Sequence, residues 1–155
     1  MLRPFVLVLA FVASGCAPSL TPPYRDYRVA PEAFGGAESE AAGVLEALRE
    51  AVTEAGWELA EADAANVVTT ESRRIETGVF SRTDASLDLA PLNGRFVRVH
   101  VHAVRRNTVF GSRTKQPYLS RGLRERALAH LTDALAARGL VALDAPRERD
   151  EEATD

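Results

Sequence analysis

Apolar residues recur at helical spacing in two places along this chain. Ala41, Val44, Leu45, Leu48, Val52 and Ala55 make one stripe, with Glu46, Glu50 and Glu54 on another face. Ser39 is placed to cap the helix N-terminus, and Glu38 and Glu40 suit the positive end of its dipole. Gly56 supplies the stop, so the spacing predicts a helix over 39–55. Leu123, Ala127, Leu131, Ala134 and Leu135 make the second stripe, capped by Ser120 and stopped by Gly139. Between the helices the period falls to two. Trp57 to Ala62 alternates, Asp63-Ala64-Ala65-Asn66 is a turn, and Val67-Val68-Thr69-Thr70 is β-branched throughout. These segments predict two paired strands, the second with room to run to Ile75 before Gly78. Phe96 to Val104 alternates most strictly, with Val97, Val99, Val101 and Ala103 facing one way and Arg98, His100 and His102 the other. Residues 79–94 hold turn signals at Asp84, Pro91 and Asn93-Gly94, and one short strand candidate from Ser86 to Leu89. Thr108 to Pro117 is a loop or a last edge strand.

Each helix has one apolar stripe, and the best strand has one apolar face. The expected fold is therefore α+β: a small antiparallel sheet of three to four strands with two helices packed on one face, in the order α-β-β-β-α.

The chain opens differently. Arg3 precedes an unbroken apolar run of nine residues from Phe5 to Ala13, and the small residues Ala13, Ser14 and Gly15 lead to Cys16, the only cysteine. This is the layout of a secretory signal peptide, too short to cross a bilayer, which needs ~20 apolar residues. Val12-Ala13-Ser14-Gly15-Cys16 resembles the lipobox of bacterial lipoproteins, with Ala13 where leucine is usual. The resemblance implies cleavage between Gly15 and Cys16 and a covalent lipid on the Cys16 thiol. Two features agree with it. An exported chain with one cysteine has no internal disulfide partner. Pro18 would obstruct ordinary cleavage after Ala17. Two or more acyl chains hold firmly where one binds reversibly.

The expected organisation is a signal peptide over 1–15, a lipid anchor and flexible tether over 16–36, an α+β domain over 37–143 and a disordered acidic tail over 144–155. Pro18, Pro22, Pro23 and Pro31 stiffen the tether and Gly35-Gly36 ends it. Within it, Tyr24, Tyr27 and Val29 suit a short edge strand or a docking segment. The tail has no apolar residue larger than alanine.

The net charge of −3 conceals two blocks. Glu32 to Asp63 holds nine acids and one base, and Arg95 to Arg126 holds nine bases and one acid. Either the blocks face each other in the fold, which is the favoured reading, or the cations receive an anion. Arg95, Arg98, Arg105, Arg106, Arg113 and Lys115 are the candidate anion-binding residues. Export argues against nucleic acid as the partner. His100 and His102 share a strand face and could supply two metal ligands, but Arg98 beside them repels a cation. They are taken as a solvated pair, and Trp57 as a core plug. No nucleophile elbow or phosphate loop is present in the sequence, so no catalytic, metal or cofactor site is expected beyond the lipid on Cys16.

Gly56-Trp57 after a helix, then the Asp63 turn and Val67-Val68-Thr69-Thr70, look like the helix-grip domains of BamC-type lipoproteins, accessory parts of the outer-membrane barrel assembly machinery. The resemblance implies a binding module rather than an enzyme. The sequence thus predicts a non-enzymatic accessory or scaffold module of an envelope assembly, anchored to the membrane by lipid and contacting an envelope protein. The alternative is a binding module or sensor for an anionic envelope molecule: a lipid headgroup, lipopolysaccharide or wall polymer. Ala17 resembles the class released to the outer membrane, facing the periplasm.

Overall fold

The computed structural model describes residues 20–30, 37–62 and 64–143. Cys16, Gly15, Asp63 and the tail over 144–155 lie outside them. In chain order the elements are β1 (Leu20–Thr21), β2 (Tyr24–Val29), α1 (Ala37–Glu54), β3 (Val68–Thr69), β4 (Arg73–Thr77), β5 (Ser81–Leu92), β6 (Phe96–Asn107), β7 (Arg113–Gln116), β8 (Leu119–Ser120), α2 (Arg121–Ala136) and β9 (Leu140–Ala142).

This corrects the expected fold. The described chain is mostly β, with nine strands in two sheets, one of them seven-stranded, and two helices. The three- to four-stranded sheet and the α-β-β-β-α order do not hold. The large sheet runs β3-β5-β6-β2-β9, with β4 also pairing β5 and β7 also pairing β6. β1 pairs with β8 in the small sheet. Leu20–Thr21 and Tyr24–Val29, expected in the flexible tether, are strands, and β2 lies between β6 and β9 rather than at an edge.

The β5–β6 hairpin organises the sheet. Each strand has twelve residues, paired without interruption from Ser81↔Asn107 to Leu92↔Phe96. Asn93 and Gly94 turn the chain with φ of 53° and 65°, the positive values a primed turn requires. At that end β3 and β2 flank the hairpin, and at the other β4 and β7 do.

One face of the hairpin is dry. Ala85, Leu87 and Leu89 of β5 and Val97, Val99, Val101 and Ala103 of β6 join one core with Val44, Leu48 and Val52 of α1 and Leu128, Leu131 and Leu135 of α2. Every residue of that core lies between Tyr27 and Ala142, so a chain beginning at Ala17 keeps it whole. β2 contributes Tyr27, fully buried, whose hydroxyl is 3.0 Å from Thr132 Oγ1.

Local details explain the remaining departures. Ser39 falls inside α1 rather than at its cap, while Ser120 caps α2 as expected, its Oγ accepting from the Leu123 amide at 3.3 Å. The segment after α1 forms one isolated bridge, Leu59↔Thr70, instead of a strand. Buried Thr70 turns its Oγ1 to the Leu87 amide at 2.8 Å, so side chain and ladder share the bonding there. Trp57 is buried as a plug. The Arg73 guanidinium lies 3.6 Å above its ring and donates to the Gly56 carbonyl at 2.9 Å. One side chain thereby caps the negative end of α1 and covers the indole.

Candidate functional site

The helices cover one face of the sheet, and its alternation carries polar side chains to the other. β2 presents Tyr24 and Asp26; β5 presents Arg82, Asp84, Ser86 and Asp88; β6 presents Arg98, His100, His102 and Arg106. Near the turn end these groups satisfy one another. Arg98 donates from Nε and Nη2 to the two carboxylate oxygens of Asp26 at 2.7 and 2.8 Å, and lies 4.2 Å above the Tyr24 ring. Those donated bonds hold the Asp26 carboxyl below its ordinary range.

His100 and His102 stack with ring centroids 4.5 Å apart. Nε2 of His102 donates to Asp88 at 2.7 Å. Burial foremost, then the neighbouring His102, pushes the His100 imidazole below its ordinary value, against a smaller opposing pull from Asp88. Among the described residues no group of three metal-ligating side chains occurs.

The pH dependence follows from His100. The unfolded chain takes up its proton at a higher pH than the folded one, so protonation favours unfolding. Stability is expected to fall as pH drops below the ordinary histidine value of 6.5. Asp26 adds its own loss only further down, near and below the ordinary carboxylate value of 3.8. Urea midpoints of the wild type and His100→Gln across pH 3 to 8 check this. The substitution should flatten the slope below neutrality and leave the more acidic limb.

Charge accumulates at the far end of the hairpin. Arg82, Arg106 and Arg113 stand directly opposite one another across β5, β6 and β7. Like charges so placed destabilise a sheet. Asp84, nearly buried, offsets part of this: it lies 2.8 Å from Arg106, 3.6 Å from Arg82 and 4.0 Å from Arg74. Lys115 on β7 adds a further cation, and Arg105 holds Ser81 at 3.0 Å on the opposite face.

Of the six candidate cations, Arg105, Arg106, Arg113 and Lys115 are therefore brought to one end. Arg98 is engaged by Asp26. Arg95 lies in the turn at the other end, eleven positions from Arg106, roughly 36 Å at the rise of a strand. α1 packs beside α2 as favoured, while ion pairs from the described residues of the two blocks to other elements reach outside them. The α1 acids Glu50 and Glu54 bind Arg138, outside the basic block, at 3.4 and 2.7 Å. The strand cations meet Asp26 and Asp84, outside the acidic one.

Sequence reasoning missed Arg74, which lay in the strand extension to Ile75 without a charge role, and Arg82, which lay in the part of β5 that went unassigned. It also passed over the two loops beyond the arginines. Val79, Phe80, Val109 and Phe110 are exposed there. Their signal was present: Gly78-Val79-Phe80 and Val109-Phe110-Gly111 put Val-Phe pairs beside glycines, where turns are ordinarily polar.

No protein-family model matches this chain, and no curated protein matches it significantly.

Proposed function

We propose that this protein is a bacterial envelope lipoprotein, anchored through lipid on Cys16, whose β-rich domain is a non-enzymatic accessory or scaffold module of a larger envelope assembly. The observation that carries this is the closeness of Val12-Ala13-Ser14-Gly15-Cys16 to the fold. β1 begins at Leu20, four residues after Cys16, a span of at most about 14 Å. A domain on so short a lead addresses what lies in or on its own membrane. The likeness of Gly56-Trp57 and Val67 to Thr70 to BamC-type lipoproteins supports an accessory role, and Ala17 supports the outer membrane, facing the periplasm.

The test has two parts. Mass spectrometry should find a mature N-terminus at Cys16 carrying acyl chains, and Cys16→Ser should accumulate as a poorly anchored precursor of full length. An unmodified terminus at any other residue overturns the anchor. Affinity capture from detergent-solubilised envelopes should then recover a stoichiometric protein partner.

A second reading has a specific observation behind it. The opposed arginines Arg82, Arg106 and Arg113 favour a binding module for an anionic envelope molecule.

A further inference from the structure

The two loops at the far end of the hairpin form one tip. Thr108 donates its amide to the Phe80 carbonyl at 3.0 Å, joining the β6–β7 loop to the β4–β5 loop. Both loops are held by their own bonds. The Asn107 side chain accepts from the amides of Val109 and Phe110 at 2.8 and 3.0 Å. Gly111, at φ 68°, returns its amide to the Asn107 carbonyl, and Gly78 donates to Ser81. On these turns Val79 is 86% exposed, Phe80 66%, Val109 61% and Phe110 82%. Four large apolar side chains are thus displayed to solvent on ordered backbone, a concentration that marks an interaction site.

Cations stand directly behind them. Arg82, Arg106 and Arg113 are each one residue back from Ser81, Asn107 and Ser112, where the loops join the strands. Arg105 lies on the reverse face and Lys115 two residues further down β7. Asp84 engages part of this charge, and Glu76 on β4 is engaged by Arg126 at 2.6 Å.

We propose that this tip docks on an anionic phospholipid bilayer, with Val79, Phe80, Val109 and Phe110 entering the acyl boundary and the arginines meeting the phosphates. An apolar point ahead of a cationic collar matches the layering of such a surface, headgroup charge outside and hydrocarbon within. The direction of β2 agrees, and this part alone rests on the anchor reading. β2 is antiparallel to β6, with Tyr24 opposite His100, so its beginning points toward the tip. His100 is seven residues from Asn107, about 23 Å along the strand. β2 therefore begins on the side of the sheet that carries the tip.

The experiment uses the chain beginning at Ala17, which lacks Cys16. It therefore measures the tip alone, while the mature terminus measures the anchor. Co-sedimentation with vesicles of phosphatidylcholine containing phosphatidylglycerol is compared with phosphatidylcholine alone, at low and high salt. The wild type should bind the anionic vesicles and be weakened by salt. Phe80→Ser with Phe110→Ser should reduce binding at least about tenfold, and Arg113→Glu with Lys115→Glu should do so too, each at unchanged melting temperature. Phe110→Trp should be quenched by brominated acyl chains, and buried Trp57 in the wild type should not. No binding to anionic vesicles at low salt overturns the proposal. So does full binding by the serine variant, which would leave electrostatic attraction without insertion. Equal binding to phosphatidylcholine alone overturns the anionic requirement. Self-association lost in the serine variant, without vesicle binding, assigns the tip to a second copy and overturns it.

Discussion

A chain that begins at Ala30 is expected to lose cooperative unfolding, whereas one that begins at Ala17 keeps it. The difference is β2. Without it β6 loses its neighbour from Phe96 to His100, and β9 loses the strand it pairs with. The core also loses Tyr27 and Val29. Removing one large buried aromatic costs about 3–5 kcal/mol. Whole domains are stable by only ~5–15 kcal/mol. Stripping the core of two side chains and a central strand of its partner removes a large share of that margin. Point variants grade the same effect. Tyr27→Ala should cost about 3–5 kcal/mol, and Tyr27→Phe, which loses the bond to Thr132, about 0.5–1.5 kcal/mol. Urea unfolding followed by circular dichroism measures all of them. An unchanged midpoint for the chain from Ala30 would return these residues to the tether.

Asp84→Asn is expected to lower stability while raising affinity for anionic vesicles. Its carboxylate has Arg106, Arg82 and Arg74 within 4.0 Å, and Arg113 stands one strand beyond Arg106. Asparagine keeps the shape and removes the charge, leaving opposed arginines facing one another. Charged hydrogen bonds contribute about 1.5–3 kcal/mol. The arginines are 30–55% exposed, so water screens them and the expected loss is nearer ~1–2 kcal/mol. Adding Arg106→Gln should recover most of it. The two readouts move in opposite directions, which general misfolding would not produce. Loss of stability with loss of vesicle binding would mean that Asp84 only holds the tip together.

The helices were legible because each carries its own evidence: a stripe, a cap or a stop. Ser120 and Gly139 bound α2 as their chemistry predicts. β6 was legible too, since Val97, Val99 and Val101 alternate with large polar residues. Its hairpin partner was not. The inward positions of β5 begin with Thr83 and Ala85, small or polar residues that carry little hydrophobic signal, and β5 ends at Pro91 and Leu92. β2 lay between prolines, and its tyrosines and arginines resemble a linker until β6 supplies the pairing. β9 is three residues long, and β4 is nearly all polar. These strands exist through their neighbours, which local pattern does not contain. The candidate cations suffered likewise. Arg98 and Arg106 looked alike in the sequence, but only register shows that Asp26 satisfies the first while Arg82 and Arg113 crowd the second.

The antiparallel setting of β2 has a mechanical consequence. A force applied at residue 20, once past the two residues of β1, runs along β2 parallel to its length. Where the opposing pull comes from the turn end of the hairpin, its hydrogen bonds to β6 lie across that line and are loaded together in shear rather than peeled one at a time. The Asp26–Arg98 clamp spans the same boundary. Tension in that direction is borne by the strand that pairs with the long hairpin along β6.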